Sequence, residues 1–162
     1  MSRAIGSVSG LNHVGVGTPD LDASITWYVD VLGLALLRGP VVVDDGEPSA
    51  PVHRDIFGAG FVACRMAHLG LSDGTGIELF EFGGLADSAT EGQQPFWHRR
   101  GLFHVALSCP DVEATAVLIE SSGGRRLSAV HQTPRCTLCY CEDPFGTVLE
   151  LVNRPYEETH GA

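Results

Sequence analysis

The sequence predicts an α+β fold made of two tandem modules, each running strand, helix and then three strands. A duplicated motif, LNHVGV at 11–16 and LFHVAL at 102–107, places His13 and His104 91 residues apart. A duplicated strand, GTGIELF at 74–80 and GTVLELV at 146–152, places Glu78 and Glu150 72 residues apart. Matching segments at fixed offsets indicate internal duplication. We therefore expect the two modules to deliver two histidines and two carboxylates.

The first module is predicted to span residues 8–83. A short apolar strand at 14–17 leads to a helix, for which Thr18 is the predicted N-cap and Gly33 the C-terminal stop. Apolar residues at helical spacing fill the interval between them. The three strands that follow are predicted at 34–43, 61–71 and 76–82.

The second module is predicted to span residues 99–153. A strand at 102–108 leads to a helix that starts at Pro110 and stops at the paired glycines 123–124. Its three later strands are predicted near 126–130, 137–141 and 147–152.

The two modules differ in length between the histidine and the glutamate. The interval is 65 residues in the first and 46 in the second, an excess of 19. The excess is assigned to an inserted loop at about 44–60, and long loops in compact domains are often lids or binding loops. Residues 84–98 are predicted as a linker, and the polar tail at 154–162 as mobile.

Composition excludes several classes of function. The formal charge is −10 and the pI is about 4.9, whereas nucleic acids and anionic membranes require a cationic face. There is no apolar run long enough to span a membrane and no export signal, so a cytoplasmic location is expected. All ten basic residues are arginine, which excludes a Schiff-base lysine and a Walker-type phosphate-binding lysine.

The five cysteines are predicted to be reduced and structural. Their odd number, without an export signal, favours free thiols. Cys136 and Cys139 form a CxxC pair, but no second pair completes a zinc site. Cys139 and Cys141 alternate along a predicted strand, as small buried apolar residues would.

The repeated histidines and glutamates form a candidate metal site. On a strand, Glu78 shares a face with Phe80 and Phe82, whereas its local competitor Glu81 faces the other way. A carboxylate among apolar neighbours is costly unless it is paired or ligated. A single strand histidine is more often a hydrogen-bonded core residue, but the duplication favours ligation and selects Glu78 over Glu81. The mixed nitrogen and oxygen donors suit Zn, Ni, Fe, Co or Mn, with the predicted ligands His13, Glu78, His104 and Glu150.

These motifs, with WYVDVLGL at 27–34 and EDPFGTVLEL at 142–151, resemble the vicinal oxygen chelate superfamily over about residues 8–153. That superfamily includes glyoxalase I, methylmalonyl-CoA epimerase, fosfomycin-resistance thiol transferases, bleomycin-binding proteins and extradiol dioxygenases. The resemblance implies two paired βαβββ modules forming a U-shaped mixed sheet around a metal. It further implies a small-molecule substrate whose adjacent oxygens chelate that metal as a Lewis acid, and a homodimer.

The resemblance also sorts the subfamilies by their ligands. Glyoxalase-like members use His, Glu, His and Glu, as here, whereas epimerase-like members usually carry Gln at the position of Glu78. Bleomycin-binding members lack the metal set. Extradiol dioxygenases use the positions of His13, His104 and Glu150 with a tyrosine ten residues before the last, which Tyr140 matches. A cavity-lining aromatic is the alternative for Tyr140.

The leading hypothesis is a metal-dependent, glyoxalase-like lyase or isomerase in which Glu150 or Glu78 transfers a proton. The second is a ring-cleaving extradiol dioxygenase with Fe(II) and Tyr140. The third is a non-catalytic protein that binds an antibiotic or metabolite, as bleomycin resistance proteins do. The arginines and asparagine with which glyoxalase I recognises glutathione are not found.

Other polar residues are interpreted with two alternatives each. His68 matches Tyr140 in the repeat, and either lines the cavity or is a satisfied sheet histidine. The segment 98–100, His-Arg-Arg, either binds an anion or is a solvated linker. His53 and Arg54 either contact substrate or lie in a surface loop.

Overall fold

The computed structural model describes residues 8, 10–44, 46, 48, 50–58, 60–83 and 101–161. The chain divides into two compact units, residues 1–85 and 86–162. The predicted elements follow one another in the predicted order, with one additional short helix in each unit, which confirms the α+β fold class with two mixed sheets. The predicted linker at 84–98 lies outside the described residues.

The first unit contains four strands and two helices within its described residues. They are β1 His13–Gly17, α1 Leu21–Asp30, β2 Ala35–Asp44, α2 Ala50–Phe57, β3 Ala63–Gly70 and β4 Gly76–Phe82. The sheet order is β1-β4-β3-β2, in which β1 runs parallel to β4 and the other pairs are antiparallel. The strand that carries Glu78 is therefore central, with β1 on one side and β3 on the other.

The second unit repeats this arrangement. Its described elements are β5 Val105–Ser108, α3 Val112–Ser121, β6 Arg125–Arg126, β7 His131–Gln132, β8 Thr137–Glu142, β9 Val148–Val152 and α4 Tyr156–His160. The order is β5-β9-β8-β6, with β7 also paired to β8 and β5 parallel to β9. The strand predicted at 126–130 is wrong in its extent: two strands of two residues, β6 and β7, flank that interval instead.

Both long helices begin later than the sequence predicted. The N-caps are Asp20 and Asp111, whose carboxylates accept from the backbone N–H groups of Ala23 and Ala114 at 3.0 Å. Thr18 does not cap α1, because its own N–H donates to the carbonyl of Phe80 and so extends the pairing of β1 with β4. The helix can begin only after this sheet contact ends.

The two sheet faces have different environments. Helix α1 packs on one face of the first sheet and α3 on one face of the second. On these helix-covered faces the strands bury apolar residues that are at most 2% exposed, including Leu69, Ile77, Leu79, Cys139, Cys141, Leu149 and Leu151. Alternation along each strand then sends the intervening side chains, including Glu78 and Glu150, to the other face.

The predicted inserted loop contains a helix. Phe57 at the end of α2 packs with ring centroids 5.3 Å from both Phe61 and Phe82 and 6.1 Å from Phe80. These rings continue into a small apolar cluster with Val43 and Cys64. Helix α2 therefore packs through Phe57 against the face of β4 that also carries Glu78.

The predicted mobile tail is also partly helical. Helix α4 buries Thr159, which is 2% exposed, and Arg135 donates to the Thr159 carbonyl at 2.9 Å. The rings of Tyr156 and His160 stack at 4.5 Å. Across the described residues, no helix combines the length and the apolar character needed to cross a membrane.

Candidate metal centre

The first unit brings His13 and Glu78 together. His13 is the first residue of β1, and Gly15 lies opposite Glu78 in the parallel pairing of β1 with β4. The Nε2 atom of His13 lies 3.3 Å from Oε2 of Glu78. A Cβ at position 15 would contact the ring of Phe80 at 3.5 Å. Sheet register thus joins two residues that are 65 positions apart in the chain.

Asn12 determines which nitrogen of His13 is free. The Nδ1 atom of His13 lies 2.8 Å from Oδ1 of Asn12, and an amide oxygen can only accept a hydrogen bond. Nδ1 therefore carries the proton, and a neutral ring presents a lone pair at Nε2 towards the Glu78 carboxylate. The 3.3 Å separation between Nε2 and Oε2 has room for a shared proton or for a cation. Metal-binding histidines are commonly oriented by such a contact at the other ring nitrogen.

His68 contacts the second oxygen of Glu78. It lies directly opposite Glu78 in the antiparallel pairing of β3 with β4, and its Nδ1 is 3.0 Å from Oε1. The side chains of His68 and Glu78 are 28% and 23% exposed. The carboxylate is thus placed between two imidazoles, one at each oxygen.

Glu81, the local competitor of Glu78, has a different partner set. Its Oε2 accepts from the backbone N–H of Leu21 at 2.9 Å and from Arg65 Nη1 at 3.0 Å. Arg65 also binds Asp22 in the first turn of α1. Glu81 therefore fixes the start of α1 on the helix-covered face of the sheet.

The second unit contains the equivalent pair. His104 Nε2 lies 3.2 Å from Glu150 Oε2, and Ala106 lies opposite Glu150 as Gly15 lies opposite Glu78. The prediction that His104 lies within the first strand is wrong by one residue, because β5 begins at Val105. The Nδ1 atom of His104 is buried and has no hydrogen-bond partner within the described chain.

Tyr140 lies against this second pair. It is opposite Glu150 in the pairing of β8 with β9, and its ring centroid is 5.5 Å from that of His104 in an edge-to-face arrangement. Burial raises the pKa of the Tyr140 phenol, and the charge of Glu150 and a hydrogen bond to it act in the same direction. The phenol therefore stays protonated and available as a donor to the glutamate at neutral pH.

The donor atoms of both pairs fit a divalent cation. Two ligands that each lie about 2.1 Å from one metal ion are about 3.0 to 3.4 Å apart. The separations of 3.3 and 3.2 Å fall in that range and exceed the usual length of a charged hydrogen bond. Within the described residues, no group of three or more His, Cys, Asp or Glu is arranged to hold a metal. Each unit by itself therefore offers a pair of donors.

A concave pocket of about 410 Å³ opens beside the first pair. Its lining includes the polar residues Asn12, His13, His68 and Glu78 and the apolar residues Leu37 and Leu71. Such a mixture of a few convergent polar groups with apolar walls is typical of small-molecule sites. A small ligand in this pocket would contact the glutamate directly.

The cysteines and the remaining polar candidates take no part in these pairs. All five cysteines are free, and Cys64, Cys139 and Cys141 are buried. His53 lies in α2 against Phe57 and Phe61. The segment 98–100 lies outside the described residues. Asn12 was missed as a functional candidate: Phe103 stands at the equivalent position of the second motif, so the repeat gave no signal for it.

Comparison with known proteins identifies relatives at low sequence identity. A 2-epi-5-epi-valiolone epimerase from Actinomyces sp is 27% identical over 159 residues, which cover 94% of this chain and 84% of the epimerase. A lactoylglutathione lyase from Haemophilus influenzae is 26% identical over 142 residues, with coverage of 86% and 89%.

A solved structure shares the fold. A glyoxalase family protein from Bacillus cereus superimposes with a TM-score of 0.76 at 23% identity, covering 94% of this chain and 98% of that one. The family model described as Glyoxalase/Bleomycin resistance protein/Dioxygenase superfamily matches residues 10–151. The chain belongs to the Glyoxalase/Bleomycin resistance protein/Dioxygenase superfamily.

Proposed function

We propose that this protein is a metal-dependent, glyoxalase-like enzyme with lyase or isomerase chemistry on a small substrate that carries adjacent oxygens. The observation that carries the proposal is the repeated histidine–glutamate pair. In both units the pair has the same sheet register and nearly the same nitrogen–oxygen separation, 3.3 and 3.2 Å. The recurrence of the same pair of metal-type donors in both units supports a functional role.

The proposed ligands are His13, Glu78, His104 and Glu150. A divalent cation of the group Zn, Ni, Co, Mn and Fe, when bound there, would supply Lewis acidity to a substrate oxygen. Both histidines present Nε2 to the paired glutamate, and Asn12 holds His13 in the required tautomer. The family resemblance and the donor chemistry support this set of four.

Glu150 is the proposed base, with Glu78 as its counterpart. The Glu150 side chain is 18% exposed, against 23% for Glu78. A carboxylate that is partly shielded from solvent can act as a base on a substrate held beside it. Glu150 would then accept a proton from a substrate carbon next to a carbonyl and return it at the neighbouring position or face. Tyr140, hydrogen-bonded to Glu150, would keep that carboxylate in place.

The names of the relatives support both kinds of chemistry. One relative is called an epimerase and the other a lyase. We therefore propose testing 2-epi-5-epi-valiolone and lactoylglutathione as first substrates. Proton transfer next to a carbonyl would exchange a carbon-bound hydrogen with solvent.

The test combines metal analysis with solvent exchange. Protein purified without chelators should contain a stoichiometric divalent metal, and NMR in D₂O should show deuterium entering one of the two substrates. Glu150→Gln should lower the exchange rate by 100-fold or more, whereas Glu81→Gln on the same face as the buried core should not. Absence of any bound divalent metal, together with unchanged affinity for substrate in His13→Ala, would instead identify a binding protein of the resistance type.

A second candidate, an extradiol dioxygenase, is favoured by the position of Tyr140. The tyrosine lies beside both His104 and Glu150, as a tyrosine acting on an Fe(II)-bound catechol would. Oxygen uptake with catechol by the Fe(II)-loaded protein would support this candidate, and Tyr140→Phe should then abolish it. No uptake with Fe(II), in protein that exchanges deuterium with another metal, would exclude it.

The family also supports a homodimer, which we propose for this protein and which light scattering would test. A cytoplasmic location is proposed on the five free thiols, since export to an oxidising compartment favours disulfides.

A further inference from the structure

We propose that His68 is a positioning residue for the metal centre: it holds Oε1 of Glu78 so that Oε2 alone faces the cation. This inference rests on the proposed function, because it assigns a role relative to the same metal. His68 is not one of the four proposed ligands. It is joined to the site by a direct contact, Nδ1 to Oε1 at 3.0 Å.

The sheet itself creates this contact. Strands β3 and β4 pair without a register shift from Cys64 opposite Phe82 to Gly70 opposite Gly76. His68 and Glu78 are directly opposite in that run, and directly opposed side chains on one face are neighbours. The Met66–Phe80 pair occupies the next position on the same face. The register of the two strands thus places the His68 imidazole beside Oε1 of Glu78.

The oxygen that His68 contacts distinguishes it from the proposed ligand His13. Its Nδ1 lies 3.0 Å from Oε1 of Glu78, whereas Nε2 of His13 faces Oε2. No cluster of three potential ligands arranged for a metal exists in the described part of the chain, although His13, His68 and Glu78 are near one another. His68 therefore acts through Glu78.

The repeat supports a role at the glutamate. Tyr140 occupies the position equivalent to His68, directly opposite Glu150 in the pairing of β8 with β9. Histidine and tyrosine share little chemistry except an N–H or O–H donor at the end of a planar ring. In both units, a residue with an N–H or O–H group therefore lies directly opposite the glutamate.

The consequence is a more rigid ligand. A carboxylate with one oxygen fixed cannot rotate its other oxygen away from the cation, so less conformational entropy is lost on binding. Removing partners of this kind typically weakens metal affinity by about 10- to 100-fold. The effect should be on metal retention first, since His68 does not occupy a proposed ligand position.

The first test measures Zn²⁺ affinity of the metal-free full chain in competition with a chromophoric chelator. His68→Phe keeps a ring but removes the donor, and we expect a loss of 10- to 100-fold. His68→Asn keeps an N–H near the position of Nδ1 and should recover most of the affinity. His131→Phe, at an exposed position in β7, is the matched control and should bind as the wild type does.

The second test needs no variant and so does not depend on how well His68→Phe folds. In ¹⁵N-labelled wild-type protein, Zn²⁺ should shift Nε2 of His13 as a coordinated nitrogen, while His68 keeps a protonated Nδ1 and shows no coordination shift. A coordination shift at His68, or a His68→Phe variant that binds Zn²⁺ like the wild type, would overturn the inference and leave the proposed function standing. A wild type that binds no divalent metal would overturn both.

Discussion

Two glutamates three positions apart in β4 serve different purposes because the strand alternates its faces. Glu78 lies between two imidazoles, whereas Glu81 accepts from the backbone of Leu21 and from Arg65. The first contact set is suited to a cation and the second to holding a helix terminus. The face of the sheet on which each glutamate lies thus determines its contacts.

This difference predicts a separation of effects between Glu78→Gln and Glu81→Gln. Glu81→Gln weakens a charged contact at the start of α1, where such carboxylates typically contribute about 1 kcal/mol. Its urea midpoint should fall while its Zn²⁺ affinity stays at the wild-type value. Glu78→Gln should lose Zn²⁺ affinity by 100-fold or more with a smaller change in midpoint. Equal loss of Zn²⁺ affinity in both variants would contradict the assignment.

The repeated histidines and glutamates could be predicted from the sequence, but the side chains that contact them could not. Glu78 could be selected over Glu81 because duplication and strand alternation are both visible in the sequence. Asn12 could not be selected, because a neighbour in the chain orients a histidine only in one backbone conformation. His68 was left with two interpretations, since its contact with Glu78 depends on the register between β3 and β4.

Among the elements, the turn between β8 and β9 supports Glu150. Asp143 is 3% exposed, and its Oδ1 accepts from the backbone N–H groups of Phe145 at 2.9 Å and Thr147 at 2.7 Å. Asp143 N also donates to the Thr147 carbonyl, as Leu71 N does to Thr75 in the first unit. A buried carboxylate thus closes the turn that sets the register of β9.

Asp143→Ala should therefore destabilise the protein. Two part-buried N–H groups would lose their partner, and a fully buried unsatisfied group typically costs about 1–3 kcal/mol, so the loss should lie towards the lower end of that range. Urea unfolding should show a lower midpoint with an unchanged slope, and Asp143→Asn, which keeps an oxygen, should lose less. Asp73→Ala is the control: Asp73 is exposed and accepts from one N–H, that of Thr75. Equal midpoints for the two alanine variants would refute the role of Asp143.

Tertiary contacts determine the helix and the helix boundary that were not predicted from the sequence. The order of strands and helices followed from periodicity, and most strand positions agreed to within about two residues. Helix α2 was predicted as loop because the 19 extra residues of the first module were interpreted as an inserted loop; in the structure Phe57 packs this helix on β4. The cap of α1 moved to Asp20 because Thr18 is committed to the sheet.

Across the whole molecule, the fold should protect the buried thiols, such as those of Cys64 and Cys141, from alkylation. Burial raises the pKa of the Cys64 and Cys109 thiols and raises that of Cys141 to about 12, with Cys139 acting in the same direction on Cys141. A raised pKa leaves these groups as unreactive thiols at pH 7–8, because the thiolate is the nucleophile. Alkylation followed by mass spectrometry should label Cys64 and Cys141 in urea but not in the native protein. Rapid native labelling of either residue would contradict their buried, protonated state.

The four proposed ligands divide equally between the two units, which makes the number of metal sites a property of the whole molecule. Two independent sites, each with one histidine and one glutamate, would bind up to two Zn²⁺ per chain. A centre that needs all four residues would bind a single Zn²⁺ per chain. We expect this stoichiometry, because two protein ligands alone hold a divalent cation weakly, whereas three or four are usual in protein sites.

The two arrangements differ in how substitutions combine. With a centre that needs all four residues, His13→Ala and His104→Ala should each abolish tight Zn²⁺ binding, and the double variant should be no worse than either one. The zinc-dependent rise in melting temperature should disappear in each single variant, since at about 100 times the Kd bound metal stabilises the native state by about 2.7 kcal/mol. With separate sites, each single variant would keep one Zn²⁺ and part of the stabilisation, and the losses would add. Calorimetric titration of the three variants distinguishes these results. Additive losses of Zn²⁺ affinity would show that the four residues do not bind one ion.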